Sequence, residues 1–166
     1  MSLFQNSVNS KLIFWFFRNE NNEFDDLFPK IKSSEIKSLP IKILSKENQI
    51  LFIEKADQML SLNKELQELS QKFQRTIQRK YEIGELSNKL QDWYKLSYPE
   101  FIKELAKKKV KLSLSQEAEW EDYFNQESKK ALELKATIDV TDKAIDKMVY
   151  ELYGLTDDEI AIVEQS

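Results

Sequence analysis

Clustered lysines are the residues of this chain whose type and spacing best suit a contact with phosphate. The stronger cluster contains Lys107, Lys108, Lys109 and Lys111. Ammonium groups bind the phosphate oxygens of nucleic acids without reading their sequence. A basic, solubilising helix end is the simpler interpretation and is favoured, because lysines stabilise a helix C-terminus. A second, weaker candidate group for phosphate contact contains Lys30, Lys32 and Lys37.

Aromatic residues just before this lysine cluster have the type that stacks on nucleic-acid bases. They are Trp93, Tyr94, Tyr98 and Phe101. The same residues suit the core of a helical hairpin, and that interpretation is favoured. The acidic run Asp157-Asp158-Glu159 has the ligand type of a metal site, but acids in the first turn of a helix also stabilise its dipole. We therefore name no catalytic, cofactor-binding or metal-binding residue.

Composition restricts the chemistry further. The 166 residues contain no Cys and no His, which excludes thiol nucleophiles, disulfides and imidazole metal sites. No glycine-rich phosphate loop or dinucleotide motif is present. The net charge of −4 gives no overall attraction to nucleic acid. The longest apolar run, LIFWFF, is far shorter than the roughly 20 residues of a membrane span. We expect a cytoplasmic protein with no membrane contact.

Two long helices must position these residues, because two glycines and three prolines leave few turns in the chain. From Ser45 to Tyr81 there is no Gly or Pro, and apolar residues recur at steps of three and four. A second long helix is predicted from Ser115, with a fresh start near 139–141 left open. The predicted packing positions of the two helices are Leu62, Leu66, Leu69, Phe73, Trp120, Phe124, Leu134, Ile138, Ile145, Met148 and Leu152.

Helix ends are marked by capping residues and glycines. Ser97 with Glu100, and Thr156 with Glu159, have the spacing of capping boxes. Gly84 marks the end of the first long helix or a turn soon after it, and Gly154 suits a left-handed helix end. The predicted fold class is mainly α: a long antiparallel, coiled-coil-like hairpin with shorter helices.

The first 44 residues are predicted to form a separate, irregular α/β piece, followed by a helical domain at 45–166. Asn9 or Ser10 caps a short helix that carries LIFWFF, although a buried strand is the alternative for so short a run. Short extended segments are expected at 28–31 and 40–44, with one helical turn between them.

Three stretches resemble a known family. VNSKLIFWFF followed by LFPKIKSSEIKSLPI is similar to the end of the TaqI-like target-recognition domain of bacterial type II restriction–modification enzymes, which fuse an adenine-N6 DNA methyltransferase to an endonuclease. ENQILFIEKADQMLSLNKEL resembles the long helix after such a domain. WYKLSYPEFIKELAKKKVKLSLSQEAEWEDYF and IDKMVYELYGLTDDEIAIVE resemble the C-terminal tail.

This resemblance implies a target-recognition and helical-spacer role without catalysis. The family's asparagine-proline-proline-tyrosine loop and glycine-rich cofactor motif are absent from the 166 residues. S-adenosylmethionine and Mg²⁺ are therefore expected only for a parent enzyme, of which this chain would be a C-terminal piece. The implied partners are double-stranded DNA, reached through that parent, and methyltransferase and nuclease domains of the same polypeptide or of a partner subunit. The alternative is a stand-alone helical interaction module, with a homodimer left open.

Overall fold

Six α-helices form the structure, a computed structural model that describes residues 10–20, 42 and 44–165. No strand occurs within those ranges, and the predicted mainly α class is confirmed. The predicted extended segment at 28–31, the helical turn that follows it and most of 40–44 lie outside the described residues. The helices are α1 (Lys11–Glu20), α2 (Lys46–Tyr81), α3 (Asn88–Gln91), α4 (Tyr98–Lys107), α5 (Leu114–Tyr153) and α6 (Asp157–Glu164).

Helix α1 contains the LIFWFF run, so the helical prediction for this run is confirmed. The Ser10 hydroxyl accepts a hydrogen bond from the Ile13 backbone N–H at 3.5 Å. This contact satisfies one of the amide groups that a helix start leaves without an intrahelical partner. Ile13 is almost completely buried, whereas Phe14 is 45% exposed. Ile13 thus lies on a packed side of the helix and Phe14 on a solvent side.

Helix α2 begins where the sequence predicts. The Ser45 hydroxyl accepts from the Asn48 backbone N–H at 3.3 Å. The helix ends at Tyr81, the end of the stretch without Gly or Pro, and Gly84 lies in a bend soon after it, as one of the two predicted alternatives has it. The left-handed residue at the helix end is Glu82 (φ 53°). Ile83 donates its backbone N–H to the Gln78 carbonyl at 3.1 Å, and its side chain is buried. Burial of Ile83 places the turn at Glu82, which bears the strain of a positive φ.

The segment between the long helices is short and well capped. Ser87 caps α3 by accepting from the Leu90 backbone N–H, and a single 3₁₀ turn follows at Trp93–Lys95. Helix α4 has the predicted capping box, in which the Glu100 carboxylate accepts from the Ser97 backbone N–H at 2.8 Å. These hydrogen bonds fix the direction in which α4 leaves the turn.

Helix α5 begins one residue before the predicted start. Ser113 is the capping residue: its hydroxyl accepts from the Gln116 backbone N–H at 3.4 Å, and the Gln116 amide oxygen accepts from the Ser113 N–H at 3.0 Å. The helix continues through 139–141 without a fresh start. Thr141 is buried on the packed side of α5, and this burial explains why it does not act as a cap.

The connection from α5 to α6 is confirmed in detail. Gly154 has a φ of +70°, and Leu155 donates its backbone N–H to the Tyr150 carbonyl at 3.1 Å. The Glu159 carboxylate accepts from the Thr156 backbone N–H at 2.7 Å, which completes the predicted capping box. Val163 on α6 is buried.

The described chain divides into two compact units. Unit 1 contains the described residues up to Met59 and those from Val140 onward, and unit 2 contains Leu60–Asp139. Helices α2 and α5 therefore contribute to both units. The predicted boundary between residues 44 and 45 does not coincide with this division. It stays a prediction, because most of 21–43 lies outside the described residues.

In unit 2, α2 and α5 pack side by side and antiparallel. The Phe73 ring lies 6.1 Å from the Phe124 ring, and Leu69 and Leu134 line one shared groove further along both helices. Of the predicted packing positions in this unit, the buried ones are Leu66, Phe73, Trp120, Phe124 and Ile138, and the half-buried ones are Leu62, Leu69 and Leu134.

In unit 1, the core is a smaller apolar cluster with one buried aromatic ring. Leu44, Phe52 and Val149 are buried together, and the predicted packing residues Met148 and Leu152 lie half-buried against them. Ile145 is buried. No helix within the described ranges combines the length and apolar character that crossing a membrane requires.

Candidate functional site

The lysine cluster lies at the end of α4 in unit 2. Lys107 makes an ion pair with the Glu104 carboxylate at 2.6 Å. Lys108 is the C-cap, and Lys109 adopts a left-handed φ of 64°. Val110 donates its backbone N–H to the Leu105 carbonyl at 3.2 Å, which completes the helix end. The clustering therefore has a structural explanation, since these lysines terminate a helix and one already has an acidic partner.

The other predicted lysines and Lys111 add little to a phosphate site. Lys30, Lys32 and Lys37 lie outside the described residues. Lys111 is exposed in the segment between α4 and α5. The structure thus brings together only Lys107, Lys108 and Lys109, along a helix end whose backbone changes direction.

Of the four predicted aromatic residues, Trp93 and Phe101 belong to the core, and Tyr94 and Tyr98 are half-buried at its edge. Trp93 and Phe101 are fully buried. The Trp93 ring stacks on Phe73 with centroids 3.7 Å apart, and Phe101 stacks on Phe124 at 4.8 Å. Because both rings are covered by protein, no base has access to them. The interpretation as a hairpin core is the one that the structure supports.

Tyrosines at the edge of this core attach it to the backbone. The Tyr98 hydroxyl donates to the Glu117 carbonyl at 2.6 Å, and burial raises the pKa of Tyr98 to about 12. Burial also raises the pKa of Tyr81, whose ring lies 5.6 Å from Trp120. The Tyr81 hydroxyl and the Trp120 indole nitrogen are both buried. The nearby indole N–H opposes part of the rise in the pKa of Tyr81. Neither tyrosine is ionised near neutral pH, so neither is poised as a base.

A basic stripe on α2 was not predicted from the sequence. We define it as Lys72, Arg75 and Arg79, three exposed residues spaced three and four apart, so that they share one side of the helix. Together with Thr76 and Gln78 they line an open groove of about 700 Å³. None of the three makes an ion pair with a described residue, since the cations that do are Lys11, Lys64, Lys95, Lys107, Lys130, Lys135 and Lys147.

The apolar pattern explains why the stripe was missed. The apolar period, which includes Phe73 and Ile77, marks the packed side of α2. The three cations lie on the other side. The signal that identifies the stripe is local charge: between Glu68 and Glu82 the chain has four cations and no acid. The fourth cation, Lys80, lies over the Trp120 ring at 5.3 Å.

The acidic run at the start of α6 has a structural role. Hydrogen bonds from the Thr156 backbone and hydroxyl lower the pKa of Glu159, which keeps the capping carboxylate ionised. In the part of the chain that the structure describes, no group of three or more His, Cys, Asp or Glu residues has a spacing suited to a metal ion. Asp157, Asp158 and Glu159 are all exposed in the first turn.

A second unpredicted feature is a buried carboxylate in unit 1. Asp146 is 4% exposed, and it accepts a hydrogen bond from the Lys11 backbone N–H at 3.0 Å. Burial raises the pKa of Asp146, and the Lys11 contact opposes that effect. The Lys11 amine in turn pairs with Glu164 at 2.5 Å, and the Tyr150 hydroxyl donates to the same carboxylate at 2.8 Å. This polar network holds α1 against α5 and α6.

These features define a mainly helical protein whose described polar groups chiefly cap and tie helices. The chain belongs to the family described as Domain of unknown function (DUF8810), which matches residues 45–149. The matched region begins at the residue that caps α2 and ends inside α5. No curated protein and no solved structure matches the chain.

Proposed function

We propose that the chain is a non-catalytic, cytoplasmic helical spacer that also takes part in DNA target recognition within a type II restriction–modification enzyme. The methyltransferase and nuclease activities, with their S-adenosylmethionine and Mg²⁺, would belong to other domains of that enzyme or to a partner subunit. The resemblance of VNSKLIFWFF and IDKMVYELYGLTDDEIAIVE to such enzymes supports this proposal.

The observation that carries the spacer role is the pair of long, uninterrupted helices. At about 1.5 Å per residue, the 36 residues of α2 and the 40 of α5 correspond to about 54 and 60 Å of helix. In unit 2 they pack antiparallel through buried side chains such as Phe73 and Phe124. Helices that support one another in this way suit a part that sets a distance between other parts.

Methylation mapping in the organism that carries the gene tests this proposal. We expect deletion of the gene to remove or alter N6-methyladenine at one defined DNA sequence, and restoration of the gene to recover it. A matched control restores a variant with Val149→Asp, which disrupts the unit 1 core because it buries an unpaired charge. An unchanged methylation pattern after deletion would overturn the proposal.

A stand-alone interaction module is the second candidate, and exposed apolar residues of α2 favour it. Ile50, Leu51 and Ile53 are 55%, 53% and 39% exposed. The predicted pairing positions are less suited to this purpose, because Phe73, Phe124 and others already pack within the chain. Sedimentation equilibrium separates the candidates: a concentration-dependent dimer that Ile50→Ser and Ile53→Ser abolish supports the module, and a monomer at all concentrations contradicts it.

A further inference from the structure

We infer that the basic stripe of α2, Lys72, Arg75 and Arg79, binds the phosphate backbone of double-stranded DNA. This inference rests on the proposed function only for the choice of DNA as the polyanion. It assigns DNA contact to a helix face that the sequence patterns of apolar residues did not identify.

Positive charge is concentrated in the segment of α2 that carries the stripe. The protein has a net charge of −4, yet from Leu69 to Tyr81 it carries four cations and no acid. The acids that flank this segment on α2 are Glu68, which pairs with Lys64 at 3.9 Å, and Glu82, which lies beyond the helix end. Lys72 also lines a second groove with Glu65, Glu68 and Glu133, so acids of the same unit lie near it. The charge of the stripe that makes no ion pair with a described acid is therefore chiefly that of its two arginines, and DNA phosphates would complement it.

Two of the three cations in the stripe are arginines. The chain has three arginines, and two of them, Arg75 and Arg79, lie in the stripe. A guanidinium group is planar and always charged, and it can donate two parallel hydrogen bonds to one phosphate. Lysine-rich surfaces that serve solubility do not need this geometry. The concentration of arginine thus indicates phosphate recognition rather than general solvation.

The length of the stripe and the residues around it suit a DNA duplex. The stripe extends over eight residues, from Lys72 to Arg79, which is about 10 Å along the helix axis. Duplex DNA carries about one negative charge per 1.7 Å of its axis, so the two strands together carry about six charges over this length. Proteins that bind single strands add exposed aromatic rings for base stacking. Here Phe73 is buried in the core and the groove is lined by Thr76 and Gln78, which favours a backbone contact to a duplex.

The lysine cluster at the end of α4 supplies a matched comparison. Lys108 and Lys111 are exposed and belong to the same unit as the stripe. Replacing them with glutamine removes two positive charges, as does Arg75→Gln with Arg79→Gln. The two double variants have the same net charge, so any difference between them reports position and not total charge.

The experiment is fluorescence anisotropy of a labelled 20-base-pair duplex with the full chain at several salt concentrations. We expect Arg75→Gln/Arg79→Gln to weaken binding and to lower the slope of log affinity against log salt by about 2. We expect Lys108→Gln/Lys111→Gln to keep the wild-type slope. Circular dichroism checks that both variants retain the wild-type helix content and unfolding temperature.

Four outcomes would overturn the inference: no binding of the duplex by the wild-type chain, equal losses in both double variants, equal affinity for a single strand, or equal competition by heparin at matched charge. The result is separable from that of methylation mapping. Stripe-dependent duplex binding with an unchanged methylation pattern would contradict the proposed restriction–modification role and support the DNA contact. A changed methylation pattern without stripe-dependent binding would support that role and contradict the DNA contact.

Discussion

Unit 2 and unit 1 are stabilised in different ways. The core of unit 2 is built from aromatic rings, with Trp93 against both Phe73 and Phe124. The core of unit 1 is a smaller cluster of Leu44, Phe52 and Val149, supplemented by a polar network in which Asp146 holds the start of α1 from 135 residues away. Ring packing tolerates no loss of volume, whereas the polar network depends on the donors, acceptors and protonation of a few groups.

The largest effect should come from the ring core of unit 2. Phe101→Ala removes a fully buried ring that stacks on Phe124, and we expect it to lower the free energy of unfolding by about 3–5 kcal/mol. Urea denaturation followed by near-ultraviolet circular dichroism measures this loss. Leu132→Ala, at a side chain that is 49% exposed, is the control and should cost far less. Similar losses for the two variants would show that the rings are not the core.

The polar network of unit 1 should give the next largest effect. Asp146→Ala removes the acceptor of the Lys11 backbone N–H, and we expect it to lower the free energy of unfolding by about 1–2 kcal/mol. Asp146→Asn keeps an acceptor oxygen and removes the buried charge, so it should lose much less. Thermal unfolding compares them, and an equal loss in both variants would mean that the charge itself matters.

The helix ends give a smaller pair of opposite effects. Gly154→Ala should lower the free energy of unfolding by about 1 kcal/mol, because a φ of +70° disfavours any side chain. An added Cβ would meet no atom within 4 Å, so no clash adds to this cost. Lys109→Gly should instead stabilise the chain by up to about 1 kcal/mol, since Lys109 has a φ of 64° with a side chain that disfavours it. Unfolding temperatures that move in the same direction for both variants would contradict the assigned backbone strain.

The acid dependence of stability should show the smallest effect, with opposite signs at two carboxylates of unit 1. Hydrogen bonds from Lys11 and Tyr150 lower the pKa of Glu164. Its contribution is therefore present above its ordinary pKa, about 4.3, and is lost as pH falls through the lower folded value. Burial raises the pKa of Asp146, so its contribution is present at acid pH and is lost as pH rises through the folded value.

Two variants separate these contributions. Glu164→Gln should flatten the loss of stability between about pH 5 and pH 3, and Asp146→Asn should make that loss steeper. The Glu164 change should amount to at most about 1 kcal/mol, because Glu164 is 41% exposed and solvent screens its ion pair. Chemical denaturation at each pH provides the measurement, and identical pH profiles for the two variants would refute the opposite signs.

Local signals in the sequence predicted most of the helix ends. Ser97 with Glu100, Gly154, and Thr156 with Glu159 act within a few residues of themselves, so their roles can be read from spacing alone. The start of α5 was misplaced by one residue, because Ser113 and not Ser115 supplies the cap.

The candidate site was less predictable for two physical reasons. Asp146 caps a helix that is distant in sequence, so no local spacing reveals its partner. The basic stripe lies on the solvent side of α2, where side chains are free of packing constraints and leave no apolar period. Spacing on the predicted helix places Arg75 and Arg79 on one side, but the groove that they line with Thr76 and Gln78 is visible only in the structure.

The short connection between α5 and α6 has a consequence for variation in chain length. In residues 154–156, a single residue separates a left-handed glycine from a capping threonine, so α6 starts at a fixed angular position. One residue inserted after Glu159 would preserve both ends of the connection but turn the rest of α6 by about 100°. Val163 would then leave the core and Glu164 would leave Tyr150 and Lys11. This helix should therefore tolerate many changes of residue type and almost no insertion or deletion.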